Sequence, residues 1–485
     1  MNFNFFHKEE KSFTILASIA ILFVYPLLSA GVYFRDDLDR AAIGNYGWSN
    51  SGRPLADLIL AIASSSGDRL LDFFPYTLIF SSICLALSCL LVKKLLDSYE
   101  LPNSLMASSL LIFNPFMLQN LAYRYDSLGM SLAFLLSILS YTYSNKNIKV
   151  STAIKIASGV CALSLYQPCV NIYLGIMAIE ACILAIKKHI TIIFFVRTII
   201  IRSLVFIAFY LVYMLTVAKI YANTNTRNAF ISLNSNGADE LIRSFTRLNN
   251  LIASYMHGTV IYYFIVTIFV LIAAIIFYVS VRKAPPINTT LKLLISFLIF
   301  YISLVGPTIA LHDAPIYART IVSFSCLFVM FSIIFIAISK GLRFIVLIAV
   351  IPSLSFSAQL SNALHEQKEH EDFVINMISY DILNRHGIKQ ILTVGSINFS
   401  KRAEIISKER PLVNASVSRA TEFLATYQLY NKGLPGVREG YGIENKNKQI
   451  LNKLKEENIT PFISNSEYKI YEKNGVAVVE LGNGR

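Results

Sequence analysis

Stretches of 18 or more nearly uncharged residues recur along most of this chain, and each is long enough to cross a hydrocarbon layer of about 30 Å. Inside such a layer a backbone must satisfy its own hydrogen bonds, so segments of this kind cross as helices. Charged residues make up only 15% of the 485 residues, against roughly 25% for a soluble domain. The pattern is that of a polytopic α-helical membrane protein, and it excludes a disordered chain or a cytosolic enzyme.

Spanning helices are expected at about 12–34, 73–92, 102–119, 127–143, 151–166, 170–186, 203–221, 259–281, 291–311, 320–338 and 344–361, eleven in all. Basic residues cluster at Lys93-Lys94, Lys146 with Lys149, Lys187-Lys188, Arg282-Lys283, and Lys340 with Arg343. These loops fall between alternate helix pairs, so one orientation satisfies them all, with the N-terminus cytoplasmic. The odd number of crossings then puts the C-terminal tail on the opposite, trans side. The net charge of +13 is explained by this loop bias, and no nucleic-acid partner is expected. Arg197 and Arg202 interrupt the apolar run before 203–221, which reads either as an interfacial helix or as one long tilted helix. The first apolar run is longer than a signal-peptide core and is read as the first span. All six cysteines lie in or beside apolar segments, which gives no disulfide framework.

Residues 1–361 form the expected transmembrane domain, with long trans loops at 35–72 and 222–258. Residues 362–485 are expected to form a small extracytoplasmic α/β domain, nearly balanced at 17 basic against 15 acidic residues. That domain opens with an amphipathic helix through Phe373, Ile375, Ile378 and Leu383, and strands are expected at Lys389–Gly395 and Val476–Leu481.

The polar clusters of the membrane part all fall on the trans side, which argues for one active site there. Phe34-Arg35-Asp36-Asp37-Leu38-Asp39-Arg40 brings three carboxylates and two arginines to the point where the first apolar run stops. Neighbouring helical residues are about 100° apart, so Asp36 and Asp37 cannot share a face. One of them is placed to deprotonate an attacking sugar hydroxyl; the alternative is an interfacial charge cluster that ends the helix. The chain's single Trp, Trp48, suits stacking on a sugar, or an interfacial belt position. Arg53, just before Pro54, suits a phosphate or a lipid headgroup. Gln119, Tyr123, Arg124, Tyr125 and Asp126 combine donors, an acceptor and aromatic faces in one turn, or else an ion pair pinning that turn. His312, Tyr317 and Arg319 form a third group, with His312 structural or sugar-binding and Arg319 a phosphate candidate. Tyr166-Gln167-Pro168 ends the fifth span on the same side. No Gly-rich nucleotide loop and no His/Cys metal set is present in the sequence, so a sugar donor must already be lipid-linked. The spans also lack a ladder of ionisable residues, which weakens a proton-driven pump.

The run Asp36-Asp37, Arg40, Gly44, Gly47-Trp48, Gly52-Arg53-Pro54-Leu55 resembles the first periplasmic loop of the serotype-converting O-antigen glucosyltransferases, the type-II Gtr family. The resemblance implies a GT-C-like fold, a bacterial inner-membrane location and a periplasmic C-terminal domain. It also implies undecaprenyl-phosphate glucose as donor, an O-antigen lipopolysaccharide repeat as acceptor, and a functional link to a donor synthase and a donor flippase. Carried onto this chain, Asp36 or Asp37 is the general base. Asp37 is preferred because Asp36 has Arg40 as an i+4 partner. The motif supports Arg53 for the lipid phosphate; from the residues themselves, Arg124 and Arg319 are added for that phosphate, and Trp48, Tyr125, Asp126, Gln167 and His312 for the sugars. One-step inversion needs one base and neither a covalent intermediate nor a metal. The competing readings are a lipid-linked oligosaccharide flippase and an O-antigen polymerase.

Overall fold

A computed structural model of the chain describes residues 4–187, 190–223, 231–232, 234–282, 286–338, 344–438 and 441–482. Lys188, Lys283, Lys340 and Arg343 of the expected basic loops, and 224–230 of the second long trans loop, lie outside the described residues. The chain divides into two compact units. One comprises Met1–Leu28, Gly47–Ala63 and Phe73–Ala358; the other comprises Ser29–Tyr46, Ser64–Asp72 and Gln359–Arg485.

The first unit is helical. Among the described residues, Glu9–Ala30, Tyr76–Ser98, Gln167–Ile186, Ile192–Tyr221 and Val346–Leu383 are long and apolar enough to cross a membrane. A sixth span results if Asn236–Tyr255 and Val260–Ala273, bent 101° at a short break, are counted as one. Shorter apolar helices are Pro54–Ser64, Asp126–Thr142, Asn288–Ser303 and Cys326–Ile338. This is a membrane protein of mostly helical build, although helix length alone supports five or six crossings rather than eleven. The last of the long helices carries His365 to Asp372, a charged run that has no place in hydrocarbon, so its apolar part ends before that point.

Two expectations change. The 102–119 segment is not one helix but Ser104–Ser109, a 3-10 turn Leu110–Ile112 and a short Leu118–Leu121. Pro115 cannot donate a hydrogen bond, and Asn114 takes over the local backbone: its Oδ1 accepts from Phe116 N at 3.0 Å, and its Nδ2 donates to Val322 O at 2.7 Å. The break is buried in protein, where its polar groups have partners. Arg197 and Arg202, in contrast, interrupt nothing. They lie inside the continuous helix Ile192–Tyr213, so the long-helix alternative holds.

Arg202 is accommodated by an ion pair. Its Nε and Nη2 each lie 3.0 Å from one oxygen of Glu180, which also accepts from the hydroxyls of Tyr99 and Tyr141. Buried serines such as Ser81, Ser82 and Ser137 return their hydroxyls to the carbonyl four residues back. Small residues let helices approach closely: a Cβ on Gly159 would sit 2.4 Å from the Phe209 ring. The six cysteines are free thiols.

The second unit is an α/β domain. Its sheet has strands β1 (Gln390–Gly395), β2 (Ile463–Ser464), β3 (Tyr468–Lys473) and β4 (Val476–Leu481) in the order β1-β4-β3-β2. β1 pairs parallel with β4, and the other pairs are antiparallel. Side chains alternate along a strand, so the sheet can bury both faces. Ile391, Ile470, Val479 and Leu481 join Val374, Ile378, Leu424 and Leu429 on one face. Leu392, Val394 and Val478 join Leu451 and Leu454 on the other. Leu38, next to the acidic pair of the first loop, packs into the former core.

Candidate active site

The acidic segment belongs to the second unit, through Ser29–Tyr46. Arg35 holds a left-handed backbone at φ 52°, rare for a residue with a Cβ, and the chain turns sharply there. Asp37 closes the turn. Its backbone N–H donates to Phe34 O at 3.1 Å, and its carboxylate accepts from Phe34 N at 2.9 Å. Asp37 is 0% exposed. Asp36 is exposed, at the N-cap of the helix Asp37–Ile43, and its side chain makes no cap bond. The two carboxylates therefore have different surroundings, as the sequence requires, but the reachable one is Asp36. Arg35 donates from Nη2 to Ala415 O at 3.0 Å and stacks over Phe34. Tyr46 donates to Ser66 O at 2.6 Å, and Leu70 N to Gly44 O at 2.9 Å, which ties 64–72 to the same segment.

The remainder of the first loop belongs to the first unit. The Asp57 carboxylate accepts from the backbone N–H groups of Gly47, Trp48 and Ser49 at 3.1, 3.1 and 2.7 Å. Trp48 is 4% exposed and gives its indole N–H to Asp126. Its ring thus stands in the wall rather than as an open platform, and Tyr125, 2% exposed, is equally enclosed.

Arg53 is the centre of the next group. Gly52 before it has φ +76°, and a Cβ there would meet the Tyr213 hydroxyl at 2.5 Å, so glycine is required. Tyr213 donates to Gly52 O at 2.9 Å, and Gln167 Nε2 donates to Ser51 O at 2.9 Å. Arg53 itself donates from Nε to Gln167 Oε1 at 2.6 Å and lies 4.7 Å over the Tyr166 ring. Among the described residues, these direct partners of its side chain are neutral. The charges of Arg53, Arg319 and Asp126 all act on the Tyr166 phenol, which marks them as one neighbourhood. Arg319 is held by its backbone N–H on Gln119 Oε1 at 2.8 Å, by Tyr123, and by Asn120 Nδ2 on its carbonyl at 2.9 Å. Arg124 lies 4.3 Å over the Phe74 ring.

His312 falls in a different group. It pairs with Glu240 at 2.9 Å and lines a cavity of about 340 Å³ with Arg243, Ser244, Arg247 and Asp313. Among the described residues, no three His, Cys, Asp or Glu side chains gather as metal ligands. Tyr213, which bonds Gly52 and Gln167 beside Arg53, and Phe74, which Arg124 covers, carry no sequence signal, because an aromatic residue in an apolar run looks like any other core residue. Asp57 was readable in principle: an acid eight to ten residues after a Gly-Trp-Ser turn is placed to accept that turn's backbone donors.

In the second unit, Glu371 lies beyond the apolar part of its helix. Its carboxylate accepts from Gln367 Nε2, Ala420 N and Gln428 Nε2 at 2.9, 2.8 and 2.8 Å. Burial nevertheless raises its pKa above the usual carboxylate value.

A mostly helical membrane protein that fixes arginines and carboxylates among its apolar helices fits the class of membrane-embedded group-transfer enzymes. The chain matches the family model "Glucosyl transferase GtrII" over residues 25–337, and it belongs to that family. It is 35% identical over 173 residues to an "uncharacterized 55.3 kDa protein in gtrB 5′ region" of Salmonella phage P22, a match covering 35% of each chain. The match thus spans about a third of that relative's length. No solved structure gives a significant match.

Proposed function

We propose that this protein transfers one glucose from undecaprenyl-phosphate glucose to an O-antigen repeat unit, on the periplasmic face of the bacterial inner membrane. In this reading the fold is GT-C-like with about eleven crossings, the N-terminus is cytoplasmic and residues 362–485 are periplasmic. A donor synthase and a donor flippase supply the lipid-linked glucose, and no metal takes part.

The observation that carries the reading is Arg53. A guanidinium held by a neutral amide and an aromatic face, on a loop fixed by Gln167 and Tyr213, retains donor capacity for an anion. Arg319 and Arg124 are assigned to the same phosphate, and Asp126 and Gln167 to sugar hydroxyls. Trp48 and Tyr125 support this group from the wall, and His312 has no part in it.

The acceptor hydroxyl attacks the anomeric carbon as the bond from that carbon to the phosphate oxygen breaks. The base takes the hydroxyl proton, and undecaprenyl phosphate leaves with the bonding pair. Negative charge grows on the phosphate, so fixed arginines favour the transition state over the ground state. A base must reach the proton it removes, so exposure moves the assignment from Asp37 to Asp36. Asp37 shapes the turn.

The test is transfer of labelled glucose by purified protein with wild type, Asp36→Asn, Asp37→Asn and Asp126→Asn side by side. Asp36→Asn should lose about 10²–10⁴-fold in rate while melting like wild type. Asp37→Asn should lower the melting temperature as well as the rate. Full activity in Asp36→Asn would remove it from the reaction, and no transfer by wild type with intact donor and acceptor would sink the glucosyl-transfer reading.

A further inference from the structure

The second unit contains a cavity that the reading above leaves unused. It measures about 90 Å³ and is lined by residues of two groups: Val32–Arg35 with Leu38, around the start of the first loop, and side chains within 364–372 and 418–428. A water needs roughly 10–15 Å³ of such space, so the cavity holds several waters, or one sugar ring rather than a chain of them.

Its lining is polar in both senses. Glu371 is 6% exposed and holds Gln367 and Gln428 by their amide N–H groups. Gln367 is fixed at its other end, where its Oε1 accepts from Ser400 N at 3.0 Å. Gln428 is not: its Oε1 is buried and has no hydrogen-bond partner among the described residues. Gln428 lines the cavity, so a turn of its side chain brings this acceptor to a ligand hydroxyl. Lys368 and Arg35 supply donors, and Asp372, 3.3 Å from Lys368, supplies a further acceptor. Tyr33, Phe34 and Leu424 add apolar surface.

These features select among ligand classes. Two carboxylates in the lining disfavour a phosphate or another anion. The Glu371 oxygens are already engaged by three N–H donors, and two cations stand beside them, which disfavours a metal ion. A buried acid and two amides disfavour a purely apolar guest. A neutral, hydroxyl-rich ring with apolar C–H faces satisfies the donors, the acceptors and the aromatic surface together.

We propose that this cavity binds one neutral sugar residue of the acceptor glycan. The inference rests on the glucosyl-transfer reading and extends it, because Arg35 and Leu38, which line the cavity, flank Asp36 and Asp37 in the chain. A ring seated here has the acidic turn as its immediate neighbour within the same unit, so the second unit selects the acceptor.

The test separates binding from transfer. Full-length protein in nanodiscs is titrated with delipidated O-polysaccharide fragments from a panel of enterobacterial strains, by saturation-transfer NMR. Two variants probe the cavity: Gln428→Leu removes the unpartnered acceptor, and Ser418→Phe fills the space without touching the Glu371 hydrogen bonds. Thermal melts show that each variant is folded. Wild type should bind at least one fragment, and both variants should weaken that binding by about tenfold or more, the equivalent of one good hydrogen bond. Arg53→Met should leave it unchanged. Equal binding by wild type and both cavity variants would overturn the proposal, and so would the absence of binding to every fragment. Glucose transfer is measured separately on the same samples. If saccharide binding maps to the cavity but no glucose moves, the glucosyl-transfer reading fails and the sugar site stands.

Discussion

Arg202 and Arg53 belong to the same helical unit, yet they are held in opposite ways. Arg202 is forked onto Glu180 with two 3.0 Å contacts, and the two tyrosine hydroxyls use the remaining capacity of that carboxylate. Its guanidinium also lies 4.3 Å over Tyr141. That network is complete within the protein, and its role is to join helices. Arg53 is equally well positioned, by Gln167 and Tyr166, but its direct partners are neutral. Among the described residues, none of the side chains that contact Arg53 directly carries a counter-charge, and an anionic ligand is the proposed source of one. The difference lies in whether the arginine is matched, not in how rigidly it is held.

The comparison can be broken most forcefully at the matched pair. Glu180→Ala strands the Arg202 charge and should cost about 3–5 kcal/mol of stability, seen as loss of folded protein in detergent. The double change Glu180→Leu with Arg202→Met should recover much of it, because replacing a buried pair with apolar residues is often neutral. If Glu180→Ala melts like wild type, the pair is not structural. At the unmatched site, Arg53→Met should cost about 10²–10³-fold in transfer rate with little change in melting temperature. Arg53→Lys should recover only part of that rate, since an ammonium cannot reproduce the planar fork. A smaller effect is expected at Gly52→Ala. Strain at a positive φ, with a Cβ 2.5 Å from the Tyr213 hydroxyl, should cost about 1–3 kcal/mol in stability and displace Arg53, raising the KM for donor more than it lowers kcat.

How much of this was legible in the sequence depended on the range of the interaction. Apolar length showed where helices run, and a short run rich in β-branched residues showed β4 at Val476–Leu481, because both are local patterns. β3 was missed: Lys469, Glu472 and Lys473 mask its buried Tyr468 and Ile470. The amphipathic helix expected near Phe373 is the end of a helix that starts at Val346. The charged run between them looks like a loop but is rich in good helix formers. The Gly52-Arg53-Pro54 turn was readable as a place for an arginine, and Gln167 was readable as polar. That the two meet is a contact over 114 residues, which no local pattern reveals. The Glu180–Arg202 pair was hidden for the same reason. Asp36 and Asp37 were readable as unlike neighbours, but which one is buried depends on the fold of Phe34–Asp37 against the C-terminal residues of its own unit.

The most direct test of the account is the affinity of undecaprenyl phosphate for the full-length protein in nanodiscs, compared between wild type, Arg53→Met and the Glu180→Leu/Arg202→Met double variant. An unmatched arginine that receives the donor phosphate predicts at least about tenfold weaker binding in Arg53→Met and near-wild-type binding in the double variant. Equal affinity in wild type and Arg53→Met would contradict it, and Arg53 would then be one more structural arginine in the wall.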